Sequence, residues 1–481
     1  MDQYENPLVT RYASAEMAAL WSPRRKFTTW RRLWVALAEG LAELGLMAED
    51  GVTPRITAEQ IAEMRLQIDN LDLAVADRYE REVRHDVMAH NHAFGDVAPS
   101  ARGIIHLGAT SCDITDNADL ILLREALILL RDRLVGLIDA LANFAARYRD
   151  LATMGFTHFQ PAQLTTVGKR ATLWCQELLL DLTEIEHRLA TLKFRGIKGA
   201  TGTQASFLAL FHGDHNKVKQ LETLIARKMG FEEVYAVTGQ TYSRKVDSQI
   251  LDTLSGLGQS LHKLGTDVRL LAHCQELDEP TEKGQIGSSA MPYKRNPMRS
   301  ERMCGLARFL MTLPISAAHT AATQWLERTL DDSVNRRLTL PQAFLTADAA
   351  LRLGINVVNG LEVFPAIIQA NMTPVLPFMA TENLLMAAVA AGQDRQECHE
   401  AIRRHSRAVQ ADVRTGAGPN NLLERLRADP LFAQVNFDEV LQPSAFIGRA
   451  AQQVEEFLQA EVEPVRRRYP HLLGQQAEIV R

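Results

Sequence analysis

The sequence predicts an all-α fold built around a long helical bundle, and two observations carry that prediction. Apolar residues recur at alternating steps of three and four over long segments, which indicates helices with a heptad-like seam. Strand signals are sparse, and residues 193–204 and 234–239 could form short hairpins at most. Because helices this long cannot cover their seams within one compact chain, we expect a homo-oligomer that completes the bundle.

The apolar spacing locates the helices in chain order. Two helices are predicted over 24–46 and 58–70. The longest is predicted over 116–149, which at about 1.5 Å per residue would be roughly 50 Å long. Its apolar positions are Leu120, Leu123, Leu127, Leu130, Leu134, Leu137, Leu141, Phe144 and Tyr148. The same period returns over 178–192 and 250–271, so three long helices share one pattern.

The chain is predicted to consist of three parts. Residues 1–110 form an N-terminal helical domain, residues 111–364 a central domain of long helices, and residues 365–481 a C-terminal helical domain. Pro374 and Pro377 support the second boundary, because they interrupt the long-helix pattern and shorter helices follow.

Composition restricts the classes of function. The 481 residues are 46% hydrophobic and 23% charged, an ordinary globular composition. A net charge of -5 argues against a general binder of nucleic acid or anionic membranes, which needs a basic surface. The five cysteines lack CxxC spacing, so neither a disulfide framework nor a zinc site is expected. Residues 1–17 lack the apolar core of a signal peptide. The uncharged run 309–326 suits a buried helix better than a membrane span. We therefore expect a cytoplasmic protein.

Two polar segments in the first quarter of the chain are candidates for a site. RHDVMAHNH contains His85 and Asp86, and it fits a helix with surface histidines, an imidazole paired with a carboxylate, or, least well, a metal site. HLGATSCDITDN precedes the longest helix and contains Thr110 and Ser111. These residues are good helix caps, yet Gly108 and a helix N-terminus suit a carboxylate or phosphate equally well.

Two further polar segments allow a similar choice. GFTHFQPAQLTTVGKR contains His158, whose aromatic neighbours favour a packed, hydrogen-bonded histidine on composition. QWLERTLDDSVNRR contains Arg328, Ser333, Arg336 and Arg337 around a predicted helix start. One interpretation is a helix N-cap whose charged side chains face solvent. The other is an anion-binding site in which the helix N-terminus and the arginines hold the anion.

The loop at 284–302, GQIGSSAMPYKRNPMRSER, is the most specific feature. Five basic residues and one acidic residue lie between Lys283 and Arg302, in a chain that is negative overall. Glycines, prolines and serines in this number indicate backbone amides that face an anion.

The stretch GSSAMPYKRNP at 287–297 matches the signature loop GSSxMPxKxNP of the fumarase/aspartase superfamily. Together with RYAS, RHDVMAH, GATS, GFTHFQPAQLTTVGKR, TGTQASF, TGQTYSRKVD and ERTLDDSVNRR, it resembles the adenylosuccinate lyase family, in the branch that includes the animal enzymes. The resemblance is strong over about residues 10–385 and weaker beyond. Tyr293 stands where many bacterial members have His.

The resemblance implies a three-part fold with a common central bundle, a homotetramer, and active sites shared by three subunits. It implies a lyase of purine biosynthesis without metal or organic cofactor. The enzyme would eliminate fumarate from adenylosuccinate, giving AMP, and from the succinyl-aminoimidazole-carboxamide ribotide, giving the aminoimidazole-carboxamide ribotide. The alternatives are another superfamily member, such as argininosuccinate lyase, fumarase or a cycloisomerase, and a non-catalytic structural protein.

The resemblance also implies roles for individual residues. Ser288 would be the general base and His158 the general acid for the leaving amine, which replaces the packing interpretation of this histidine. Lys294 and Asn296 would hold the carboxylate where charge develops, and His85 would support the chemistry or contact the phosphate. The implied substrate-binding residues are Arg11, Tyr12, Arg84, His85, Asp86, Thr110, Ser111, Gln240, Arg302, Arg328, Ser333 and Arg337.

Overall fold

The computed structural model of the chain describes residues 3–282, 284–440 and 446–479, and these are largely helical. The helices are α1 (Ala15–Leu20), α2 (Pro23–Glu43), α3 (Ala58–Leu66), α4 (Leu73–Val83), α5 (Asp86–Val97), α6 (Ser111–Arg147), α7 (Val167–Thr191), α8 (Ala205–Leu210), α9 (His215–Lys228), α10 (Lys245–His273), α11 (Met298–Leu310), α12 (Leu313–Ala322), α13 (Asp331–Gly360), α14 (Pro365–Met372), α15 (Leu376–Ala390), α16 (Arg395–Thr415), α17 (Leu422–Arg427), α18 (Phe437–Val440), α19 (Ala450–Phe457) and α20 (Glu463–Arg468). The strands are β1 (Ala152–Thr157), β2 (Gln160–Thr166), β3 (Leu277–Asp278) and β4 (Glu362–Val363). Short 3-10 and π turns cover Leu8–Tyr12, Pro99–Ala101, Pro430–Phe432, Leu458–Val462 and Pro470–Leu472.

The long helices form the predicted bundle. The helix α6 packs against α7 and α13, and α10 packs against α7, α11 and α13. The leucines of the α6 seam are completely buried, from Leu120 to Leu141. Helix α6 begins at Ser111, five residues earlier than predicted, because the Asp113 carboxylate accepts the Thr110 N–H at 2.8 Å and caps the helix there. The predicted all-α class is confirmed.

The two N-terminal helices end earlier than the apolar spacing predicted. The helix predicted over 24–46 is α2, which ends at Glu43, and the one predicted over 58–70 is α3, which ends at Leu66. The residues that end the two helices are Leu44 and Gln67, and the N–H of each donates to a carbonyl oxygen of the last turn. The pattern therefore identified both helices and overestimated their lengths.

Two cores lie in the described part of the chain. The larger core draws on all three predicted parts and includes Trp34, Leu127, Leu254 and Val454. A second core is made only of residues between Ala380 and Phe437. The helices α19 and α20 return to the bundle and pack on α7 and α6. The division at residues 110 and 364 stays a prediction.

The expected position of the hairpin was wrong. The antiparallel hairpin β1–β2 lies in the segment around His158, whereas Phe194 and Val234 form only an isolated bridge. Its two turn residues, His158 and Phe159, have φ values of 52° and 55°. These positive values are typical of a type I′ turn, which usually carries Asn or Gly, so the sequence lacked the usual signal. A second sheet pairs β3 with β4.

The uncharged run 309–326 is not a single buried helix. It contains the end of α11 and all of α12, and Ile315, Trp325 and Leu326 are exposed in the single chain. Among the described residues, no single helix is long and apolar enough to cross a membrane. Helices α14 and α15 meet that criterion only as a pair bent by 67°.

Candidate active site

A cleft of about 1130 Å³ lies between the N-terminal helices and the first turns of α6 and α13. Its walls come from the start of α2, the junction of α4 and α5, and residues 328–341. The cleft brings together nine of the sequence-predicted site residues. They are Arg84, His85, Asp86, Thr110, Ser111, Gln240, Arg328, Ser333 and Arg337.

His85 connects two walls of the cleft. It is the N-cap of α5, and its Nδ1 accepts the Met88 N–H at 3.4 Å. Its Nε2 lies 3.2 Å from the Ser111 hydroxyl oxygen. A neutral imidazole whose Nδ1 accepts carries its proton on Nε2, so it donates to Ser111. The preceding Arg84 ends α4 in a left-handed conformation, with φ of 54°, which turns the chain toward the cleft.

Asp86 and Arg337 close one side of the cleft with an ion pair, in which Arg337 donates to the carboxylate at 2.7 Å. On another side Arg328 donates to the Gln240 side-chain oxygen at 3.0 Å and also contacts the Cys112 sulfur. Burial raises the pKa of the Cys112 thiol to about 12, so it stays protonated at neutral pH. Cys112 is therefore a neutral neighbour of Arg328.

A buried ionic network fixes the helices under the cleft. Arg244 joins Asp116 of α6 to Asp332 of α13, at 3.0 and 2.7 Å. Burial opposes ionisation of Asp116, but Arg244 and Arg336 outweigh it and lower the pKa of this carboxyl. Arg336 pairs with Asp119 and Asp247. Of the arginines considered for an anion clamp, Arg336 is thus already neutralised by carboxylates.

Three of the predicted substrate-binding residues lie outside the cleft: Arg11 and Tyr12 in the N-terminal turn and Arg302 on α11. The guanidinium groups of Arg302 and Arg11 lie 5.7 and 5.9 Å from the ring centre of Tyr12. His158 is also outside the cleft, exposed at the tip of the β1–β2 hairpin. Within one chain, these four residues are not among those that line the cleft.

The signature loop, residues 284–302, also stands apart from the cleft. The Ser288 hydroxyl oxygen accepts the N–H groups of Met291 and Ala290, at 3.1 and 3.4 Å. Asn296 donates to the Gly287 carbonyl at 2.6 Å and closes the loop on itself. A Cβ at Gly287 would overlap the Lys294 carbonyl oxygen, so only glycine fits there.

The C-terminal half of the signature loop is fastened to the bundle. Arg295 lies 3.2 Å from Asp278 of β3 and from Glu362 of β4. The Glu279 carboxylate accepts the N–H groups of Arg299 and Ser300, at 2.7 and 2.9 Å, and caps α11. The loop is therefore anchored from Arg295 onward, and Ser288 and Lys294 precede this anchor.

Other residues line the cleft without having been predicted. They include Trp21, Lys26, Phe27, Glu80, Thr115 and Asp119. The start of α2, which carries Lys26 and Phe27, read only as a packing helix, because its polar residues follow no motif. The run of basic residues Arg24, Arg25 and Lys26 in the first turn, followed by Phe27, was the available signal.

The histidines of the segment RHDVMAHNH have different environments in the structure. His90 is buried and stacks on Phe27, with ring centres 3.6 Å apart. Burial lowers the pKa of His90 to about 4, so it is a neutral packing residue. Among the described residues no group of three or more His, Cys, Asp or Glu side chains could hold a metal ion.

Comparison with known proteins identifies the family. Residues 13–311 match the family described as "Lyase", and residues 377–457 match "Adenylosuccinate lyase C-terminus". The chain is 52% identical to the adenylosuccinate lyase of Saccharomyces cerevisiae over 465 residues, covering 96% of this chain and 95% of that protein. It is 48% identical to the adenylosuccinate lyase of Schistosoma mansoni over 482 residues, covering 99% of each chain.

A solved structure supports the fold. The 3-carboxy-cis,cis-muconate lactonizing enzyme of Pseudomonas putida superposes with a TM-score of 0.82, at 23% identity, over 96% of this chain and 100% of that chain. This likeness concerns the fold alone. The family matches and the curated relatives confirm the expected superfamily and branch. The chain belongs to the adenylosuccinate lyase family of the fumarase/aspartase superfamily.

Proposed function

We propose that this chain eliminates fumarate from adenylosuccinate to give AMP, and from the succinyl-aminoimidazole-carboxamide ribotide by the same chemistry. One observation carries the proposal beyond family membership. The cleft places Arg328, Ser333 and Arg337 at the N-terminus of α13, beside Thr110 and Ser111 at the N-terminus of α6. Two helix N-termini with cations and hydroxyls suit a ligand with a phosphate at one end and carboxylates at the other.

Proton removal is assigned to Ser288. The succinyl carbon next to a carboxylate loses its proton, and negative charge develops on that carboxylate. A serine hydroxyl is a weak base unless its alkoxide is stabilised, and the two N–H groups that Ser288 accepts support that state. Lys294 and Asn296 of the same loop would hold the carboxylate, after Asn296 exchanges its bond to Gly287 for one to the substrate.

The leaving amine needs a proton, and His158 is assigned to supply it. Its place at the tip of a short hairpin leaves the imidazole exposed and free to enter a site. His85 would act from within the cleft, where its bond to Ser111 orients a hydroxyl toward the succinyl group. Arg11, Tyr12, Arg84, Asp86, Gln240 and Arg302 complete the proposed substrate contacts.

The site is proposed to be assembled from three subunits of a homotetramer. Support comes from the separation within one chain of the cleft from Ser288, His158 and the cluster around Tyr12. Large apolar side chains next to the cleft are exposed in the single chain, and a neighbouring subunit would cover them. They are Trp325, Leu326, Leu330, Val334 and Leu338. We further propose a cytoplasmic enzyme that needs no cofactor and binds neither nucleic acid nor membrane.

The proposal is tested with purified protein and adenylosuccinate, by following the purine absorbance as AMP and fumarate form. Argininosuccinate serves as the control substrate and should not react. Ser288→Ala and His158→Ala should each abolish turnover while the oligomer stays intact in size-exclusion chromatography. Turnover by the double variant would refute the assigned mechanism, and absence of turnover in the unaltered protein would refute the function.

Shared sites have a separate test. If Ser288 and His158 of one site come from different subunits, mixed oligomers of Ser288→Ala and His158→Ala chains contain some sites with both residues intact. Co-refolding the two inactive variants should then restore part of the activity. Mixtures that form hybrid oligomers and stay inactive would show that each chain supplies both residues to the same site.

A further inference from the structure

Lys26 is a cation of the cleft wall that no carboxylate pairs with in the described part of the chain. It lies in the first turns of α2 and is half-buried. Its ammonium nitrogen sits 5.1 Å from the ring centre of Trp30 and 5.4 Å from that of Phe27. Over residues 3–282, 284–440 and 446–479, no carboxylate or other hydrogen-bond acceptor reaches this nitrogen. The aromatic rings hold the side chain in place but leave its three N–H donors unused.

Three other cations of the cleft wall are paired with carboxylates. Arg244 pairs with Asp116 and Asp332, and Arg337 pairs with Asp86. Arg336 likewise has its two carboxylates. Arg328 has only neutral partners, and in the described chain Lys26 has no polar partner. The cleft therefore contains positive charge that its own carboxylates do not neutralise. An anionic ligand would neutralise this remaining charge.

Burial makes Lys26 unusually responsive to such a ligand. Loss of water around the ammonium lowers the pKa of Lys26, and Asp119 opposes this shift only in part. A cation that has lost hydration without gaining a partner regains favourable interactions when an anion arrives. Lys26 shares the cleft lining with Arg337 and Asp86, which also act on it electrostatically.

Within the proposed function, the N-terminus of α13 with Arg328, Ser333 and Arg337 suits the phosphate of the substrate. Resting on the proposed function, we propose that Lys26 is an additional substrate-binding residue that contacts the nucleotide phosphate and so favours nucleotides over nucleosides. Its contact would add a mobile ammonium to the guanidinium of Arg337. Lys26 takes no part in the proton transfers.

The test compares ligands with and without phosphate. Binding of AMP and of adenosine is measured by isothermal titration calorimetry for the unaltered protein, Lys26→Met and Lys26→Gln. Lys217→Met is the matched control, because Lys217 is also a half-buried lysine in the first turn of a helix, with its nitrogen 5.7 Å from the Phe211 ring, and it does not line the cleft. Circular dichroism confirms that each variant is folded.

Lys26→Met and Lys26→Gln should each weaken AMP binding by about tenfold, equivalent to about 1.4 kcal/mol, and change adenosine binding less than about twofold. The KM for adenylosuccinate should rise in parallel, and Lys217→Met should change neither ligand. Unchanged AMP binding in either folded variant would overturn the inference, and equal weakening of AMP and adenosine would overturn the phosphate assignment. These outcomes are distinct from failure of the proposed function, which is absence of turnover in the unaltered protein.

Discussion

The carboxylate of Asp86 lies 2.7 Å from the guanidinium of Arg337, and this contact joins the first turn of α5 to the second turn of α13 across the cleft. The Arg337 side chain is 58% exposed and that of Asp86 26%, so the pair is screened by solvent. Exposed pairs of this kind contribute about 0–1 kcal/mol to stability. The contact matters more for where it holds Arg337.

Asp86→Asn should therefore affect binding more than folding. Without the carboxylate, Arg337 samples more rotamers and must be ordered when the substrate binds, so KM for adenylosuccinate should rise by roughly five- to tenfold. The free energy of unfolding, measured in urea, should fall by less than about 1 kcal/mol. Glu400→Gln removes an exposed arginine partner on α16 and is the control, with KM unchanged. An unchanged KM in Asp86→Asn would show that Arg337 needs no orientation.

Asp113→Asn tests the buried pair that caps α6. Asp113 and Arg195 are both fully buried and in contact, and Asp113 also accepts the N–H groups of Lys198 and Gly199. Loss of the carboxylate leaves Arg195 buried without a counter-charge, which should lower the unfolding free energy by about 3–5 kcal/mol. Asp150→Asn removes an exposed carboxylate and should change it by less than about 0.5 kcal/mol. Equal losses in both variants would contradict the pairing argument.

Gly287→Ala tests the shape of the signature loop. The new methyl group would overlap the Lys294 carbonyl oxygen and push the two sides of the loop apart. Misplacement of catalytic groups by about 1 Å costs roughly 100-fold in rate, so kcat should fall by about that factor while AMP affinity changes little. In Gly305→Ala, on α11, the methyl group meets no atom within 4 Å, and kcat should be retained. A normal kcat in Gly287→Ala would show that catalysis does not depend on this shape of the loop.

His90 gives stability a specific pH dependence. Its pKa in the folded chain is about 4, below the ordinary 6.5. Between these values the unfolded chain binds a proton that the folded chain does not. The stability that the neutral His90 contributes is therefore complete above pH 6.5 and is lost as pH falls toward 4. His90 should account for about 3 kcal/mol of the loss.

The measurement compares the unfolding free energy at pH 7 and pH 4.5. His90→Phe keeps a flat ring against Phe27 and should lose clearly less stability over this range than the unaltered protein. His399→Phe replaces an exposed histidine and should retain the full pH dependence. If His90→Phe shows the same loss as the unaltered protein, the imidazole is not neutral in the folded state.

Much of the fold was predictable because the signals are local. The seam from Leu120 to Leu141 specifies a helix through contacts three and four residues apart, although the Asp113 cap sets its start earlier than the seam predicted. The signature loop was recognisable for the same reason, since its glycine and prolines act on the backbone beside them. The hairpin was not predicted, because His158 and Phe159 adopt positive φ values without the Asn or Gly that usually marks such a turn.

The sequence alone was sufficient for the helical class, the family resemblance and the candidate residue types, all of which depend on neighbours within a few positions. Packing decided which residues share a cleft. Arg336 is neutralised by Asp247, 89 positions away, whereas no carboxylate among the described residues pairs with Lys26. Local sequence could not distinguish these two cations. Charge balance in a folded chain is set by groups that only the tertiary arrangement brings within a few ångströms, so the roles of these two cations followed from the structure.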